Sequence, residues 1–129
     1  MATPDTMETI YTYTRAQAIE DGELVDVTPW ARETGFRWPV AVTRAVWASC
    51  IAVPPRVIGQ DERGRAHDVL WMAFCAIRRG PDGRERLYRL HFRNDNRPVS
   101  RRHLVTLKLV SGPGDDAEPV LTIMLPQED

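Results

Sequence analysis

Residues 87–93 read LYRLHFR, 104–110 read LVTLKLV and 120–125 read VLTIML. Each alternates with a period of two, the repeat of a strand with one face buried. In the first, Tyr88, Leu90 and Phe92 fall on one side, and Arg89, His91 and Arg93 on the other. In the second, Val105, Leu107 and Leu109 oppose Thr106 and Lys108; in the third, Leu121, Ile123 and Leu125 oppose Thr122 and Met124. Turn-forming runs separate them, Asn94-Asp95-Asn96-Arg97-Pro98 and Gly112-Pro113-Gly114-Asp115-Asp116. Three antiparallel strands with one apolar and one polar face are expected.

Upstream the pattern is helical and broken by caps. Thr14-Arg15-Ala16-Gln17 fits a capping box opening a short helix that stops near Gly22. Leu24 to Val27 reads as a brief strand, and Thr28-Pro29 as the cap and first residue of a helix ending at Gly35. Phe36 to Val42 is extended, since Pro39 disfavours helix there. Thr43 caps a third helix that ends before Pro54-Pro55, and residues 54–64 read as a loop. A fourth helix is expected from Ala66 to Arg79, apolar on all sides and so central. A buried strand competes for the same run. The fold class is therefore α+β, with helices packed on one face of a small antiparallel sheet formed mainly by the C-terminal half. Residues 1–9 read as a flexible N-terminus, and residues 10–129 as a single domain, large enough for a core without disulfides or metals.

Cys50 and Cys75 sit in apolar runs and are expected to be free buried thiols. The opening residues lack a signal-peptide pattern, and no stretch reaches the roughly 18 apolar residues of a membrane span. A cytoplasmic setting with no membrane contact is expected.

The net charge of −1 conceals a strong asymmetry. Between Arg78 and Lys108 ten basic residues face three acidic ones, a net of +7, while residues 1–35 and 109–129 each carry −5. Arg78 and Arg79 have a structural task at a helix C-terminus. Arg84 and Arg86 lie beside a turn and read as solvated. The rest converge on the polar sheet face: Arg89, His91, Arg93 and Lys108 on the strands, with Arg97, Arg101 and Arg102 in the adjoining loop. Such a face suits an acidic protein partner, whose docking charge complementarity would orient. It also suits nucleic acid, though a pI near 6.3 and few interleaved aromatics argue against a dedicated nucleic-acid binder. The bland alternative is a solvated sheet face. Of the four tryptophans, Trp47 and Trp71 are expected in the core, while Trp30 and Trp38 flank a turn and offer an aromatic contact.

Catalysis has less support. His67-Asp68, and His91 close before Asn94-Asp95, resemble a base with an orienting carboxylate, but no nucleophile elbow, phosphate loop or HExxH pattern accompanies them. No catalytic residues, metal ligands or cofactors are expected. The acidic clusters near Glu20–Asp26 and Asp115–Glu118 read as solubility features rather than nucleic-acid mimicry.

The segments YTYTRAQAIEDG (11–22), LVDVT (24–28), TRAVW (43–47), HFRNDNR (91–97) and VTLK (105–108) resemble a family of small bacterial proteins of unassigned activity. The resemblance runs from Ile10 to Leu125 and implies association with plasmids and other mobile elements. It brings no catalytic residues. It implies an accessory protein that helps an element persist, by countering a host defence of CRISPR or restriction type, through contact with a host or element-encoded protein.

Overall fold

A computed structural model describes residues 13–80, 83–92 and 103–129. Its elements follow in the order α1 (Arg15–Glu20), β1 (Leu24–Asp26), α2 (Thr28–Thr34), β2 (Val40–Thr43), α3 (Arg44–Val46), a π-helical turn (Trp47–Ile51), α4 (Glu62–Arg79), β3 (Glu85–Phe92), β4 (His103–Pro113) and β5 (Pro119–Met124). The fold is α+β. The three C-terminal strands pair antiparallel, but they are part of a larger, mixed sheet of five strands in the order β1-β2-β5-β4-β3. The short N-terminal strands pair antiparallel with each other, and β2 runs parallel to β5. The run Val40-Ala41-Val42 is buried at every position because its strand lies inside the sheet, with no side chain facing bulk water.

The capping box forms. The Thr14 hydroxyl accepts from the Gln17 amide at 3.0 Å, and the Gln17 side chain accepts from the Thr14 amide at 2.9 Å. At α2 the expected Thr28 cap does not form, because the cap position falls one residue earlier, at Val27. Thr28 is already helical, and its amide and hydroxyl donate to the Asp26 carboxylate. Thr43 does cap α3, accepting from the Val46 amide at 3.2 Å. The third helix then widens into a π turn, closed by Ala52 N–H donating to the Trp47 carbonyl at 2.7 Å. The fourth helix starts four residues earlier than expected, because Asp61 caps it by accepting from the Gly64 amide at 2.6 Å.

That helix is one-sided rather than apolar all round. Ala66, Val69, Leu70 and Ala73 are buried against the sheet, while Trp71, expected in the core, faces outward at 45% exposure. Beneath it lie Tyr88, Leu90 and Phe92 of β3 with Leu107 and Leu109 of β4, as the alternation requires. The Tyr88 hydroxyl reaches across this interface and donates to the Val69 carbonyl at 3.1 Å. On the opposite face α1 is tied down by Arg15, whose guanidinium donates to the Thr122 hydroxyl and the Leu121 carbonyl, each at 2.7 Å. Asp115 completes the tie by accepting the first amides of α1, from Arg15 and Ala16. Cys50 and Cys75 are free; Cys50 is buried and Cys75 half-buried. No helix among the described residues is long and apolar enough to cross a membrane.

Burial pushes the Tyr88 phenol well above its ordinary pKa near 10. A raised folded pKa means the unfolded chain ionises first as pH rises. Stability is therefore complete below about pH 10 and falls as pH climbs from there toward the folded pKa. Urea denaturation of wild type and Tyr88→Phe should show a steeper alkaline loss in wild type. At neutral pH the variant should be weaker by about 1 kcal/mol for the missing hydrogen bond. Parallel pH curves for the two proteins would remove Tyr88 from this role.

Candidate functional site

The outer face of β3 and β4 is built by register. Leu87 lies opposite Lys108, Arg89 opposite Thr106 and His91 opposite Leu104. All six point away from the core, because their neighbours Tyr88, Leu90, Phe92, Leu107 and Leu109 are buried on the other side. β3 is the terminal strand of the sheet, so its far edge has no strand partner among the described residues. Arg89 and His91 are exposed, and neither side chain makes a hydrogen bond or ion pair among the described residues. Leu87 and Leu104 bracket them at 65% and 55% exposure. The described part of this face is thus a mixed surface, with two leucines at opposite corners and a cationic centre. Glu85 sits at its far end.

Lys108 shares the face but is already engaged. Its ammonium donates to the Glu128 carbonyl at 2.5 Å, while the Glu128 carboxylate accepts from the Thr43 hydroxyl and the Leu125 amide, both at 2.7 Å. Lys108 therefore fastens the residues after β5 to the sheet and is less available to a partner than its position implied. Arg93, Arg97, Arg101 and Arg102 lie outside the described residues, as do Asn94 and Asp95. Trp30 is half-buried and stacks on Trp47 with ring centroids 6.3 Å apart, so it is a packing residue on one side. Trp38 is exposed.

A second feature lies at the end of β3. His67 and His91, 24 positions apart in sequence, line one groove of about 990 Å³ together with Trp30, Asp61 and Asp68. His67 is fixed against Trp71 by a parallel stack, centroids 6.5 Å apart. Arg65 closes the groove floor at 3% exposure. Its Nε donates to the Cys50 carbonyl at 2.9 Å, its Nη1 to the Gln60 side chain at 2.9 Å, and its guanidinium covers the Phe92 ring at 5.0 Å. The Cys50 carbonyl belongs to the π turn, whose end leaves carbonyls without an intrahelical partner. Arg65 thus has a structural task, and burial lowers its pKa. Burial also raises the Cys50 thiol, which disfavours the nucleophilic thiolate. No group of three potential metal ligands occurs among the described residues.

The acidic ends are largely spent on the fold itself. Asp21 accepts from the Tyr13 hydroxyl, Glu23 pairs with Arg44, Asp115 caps α1 and Glu128 holds Lys108 and Thr43. This use was invisible in a linear charge count.

A family model covers residues 2–129, nearly the whole chain. The chain belongs to a family of unknown function, DUF6573. No curated protein and no solved structure matches it. For this DUF6573 protein the family assigns no active site, so the chemistry rests on the described surface.

Alanine substitution should separate the two cations of the sheet face. Lys108→Ala should cost about 1 kcal/mol in urea denaturation and speed amide exchange at Leu125. Arg89→Ala should stay within about 0.5 kcal/mol of wild type. Equal costs would contradict the division into a structural lysine and a free arginine.

Proposed function

We propose that this DUF6573 protein is a non-enzymatic binding protein that docks a partner protein through the outer face of β3 and β4. The observation that carries the reading is the grouping of exposed Leu87 and Leu104 with Arg89 and His91, whose side chains are unpaired among the described residues, on one edge of the sheet. Apolar anchors near a desolvated centre supply affinity at protein interfaces, and flanking charges supply orientation and partner choice. Phosphate backbones gain nothing from leucines, and Lys108 is held by Glu128, so the described face favours an acidic protein over nucleic acid. The open edge of β3 adds main-chain groups that an extended segment of the partner can pair with. Together with the resemblance to a family associated with mobile elements, this supports an accessory role: a cytoplasmic protein of a bacterial plasmid or other mobile element that blocks a host defence complex, of CRISPR or restriction type, by contact. A second reading follows from the groove that holds His67 and His91, since two imidazoles in one cleft can serve as acid and base.

Establishment of a targeted plasmid in cells carrying such a defence system tests the proposal. Wild type should raise establishment, and Arg89→Glu with Leu104→Ser should lower that effect about tenfold or more while thermal melting stays unchanged. A folded double variant with full effect would sink the interface. Loss on His67→Ala and His91→Ala, with the double variant still active, would favour the enzymatic reading. Salt-sensitive binding to duplex or single-stranded DNA in fluorescence anisotropy would move the assignment to nucleic acid.

A further inference from the structure

We propose a second, separate site: a pocket for a small organic anion with an apolar body, an alkyl or aryl carboxylate, at the core-side end of the sheet. The site shares no residue with the outer β3–β4 face and does not depend on the reading given for it.

It lies between the last turns of α4, which ends at Arg79, and the start of β3 with the end of β4. Phe74 and Ile77 of the helix line one side of it, and the sheet residues there change character. Arg84 and Arg86 take the parity that Tyr88 and Leu90 hold further along, and Ser111 continues the row of Leu107 and Leu109. The space left is about 650 Å³, within the range of small-molecule sites. The connection after α2 closes it from the other side. Gly35 holds φ +123°, and a Cβ there would meet the Phe74 ring at 3.2 Å, so the chain turns tightly against the helix. This turn places Arg37 and the exposed Trp38 at the mouth.

Two properties of the lining fix the class of ligand. First, the charge is one-sided. Arg37, Arg84 and Arg86 line the pocket, no carboxylate does among the described residues, and none of the three guanidinium groups makes a hydrogen bond or ion pair there. The Arg86 guanidinium lies over Gly80 at the helix end, yet it donates no hydrogen bond among the described residues. Elsewhere in the described chain arginines such as Arg15, Arg44, Arg63 and Arg65 are partnered. Second, the floor and walls are apolar: Phe36, Phe74, Ile77, Leu109 and Leu121. Ser111 adds a neutral polar side chain, and its hydroxyl sits 3.5 Å from the Arg84 carbonyl. A nucleobase would find almost nothing to read its edges, and a bare phosphate would waste the apolar floor. A carboxylate forked by two guanidinium groups, with its hydrocarbon against Phe74 and Leu109, uses both.

Nuclear magnetic resonance titration of the whole protein with decanoate, below its micellar concentration, tests the site. The expected result is saturable shifts at the Trp38 indole N–H and the amides of Gly83 and Ser111. Arg37→Gln and Arg86→Gln should each weaken binding about tenfold, with an unchanged spectrum elsewhere to report folding. Should Arg86→Gln perturb the fold, Arg37→Gln, at an exposed position, carries the test alone. Decanol or decyltrimethylammonium binding as tightly as decanoate would overturn the charge argument, and inorganic phosphate doing so would overturn the apolar one. No saturable shift at these three groups, or shifts confined to Leu87 and Leu104, would overturn the site altogether. Tighter binding of a short acidic, aromatic peptide than of decanoate would also overturn it, in favour of a peptide site.

Discussion

The structure depends on the burial of one helical stripe, Ala66, Val69, Leu70 and Ala73, against the inner face of β3 and β4. Neither surface is stable alone. A lone helix of this length is marginal in water, and a meander with one apolar face needs a cover. Their union fixes the rest. It sets which side of β3 is core, and so turns Arg89 and His91 outward. It sets where α4 starts, and so brings Asp61, Arg65 and His67 to the end of β3. It also sets where α4 stops, beside Arg86 at the arginine-lined end of the sheet.

Polar groups pinned at that interface make the packing specific as well as favourable. Tyr88 donates to a carbonyl of the covering helix, and Arg65 donates to a carbonyl of the π turn. Both are nearly inaccessible to water, where an unmatched polar group is expensive. A shifted register would strand them, whereas apolar contacts alone would tolerate some sliding. The same economy explains the acidic segments. Carboxylates that look like a surface field in the linear sequence are hydrogen-bonded to α1, to Tyr13, to Arg44 and to Thr43.

Local chemistry was the legible part of the sequence. The capping box at Thr14, the cap at Thr43, the three C-terminal strands and the outward aspect of Arg89 and His91 all follow from interactions within a few residues or from strict alternation. What escaped detection was set by distant partners. The run Val40-Ala41-Val42 reads as extended, but nothing in it reveals a parallel neighbour 81 positions on. Lys108 has the right parity for the outer face, yet its ammonium is claimed by Glu128. Trp71 lies in an apolar run with no polar marker to show which side faces out. Arg84 and Arg86 read as solvated turn residues, and nothing local shows that they line one pocket with Arg37.

The sheet order carries a consequence for the growing chain. β5 is the last strand of the sheet in sequence and the middle one in space, flanked by β2 and β4. The β1–β2 pair and the β3–β4 pair can each form without β5, but among the described strands they are hydrogen-bonded into one sheet only through it. No strand pairing among the described residues joins the two halves of the sheet until β5 has been made. Contacts of such long sequence separation are slow to close, so the nascent protein carries two unpaired strand edges until then. A product truncated before Pro119 would keep both, and would be a substrate for aggregation or proteolysis rather than a smaller version of the fold.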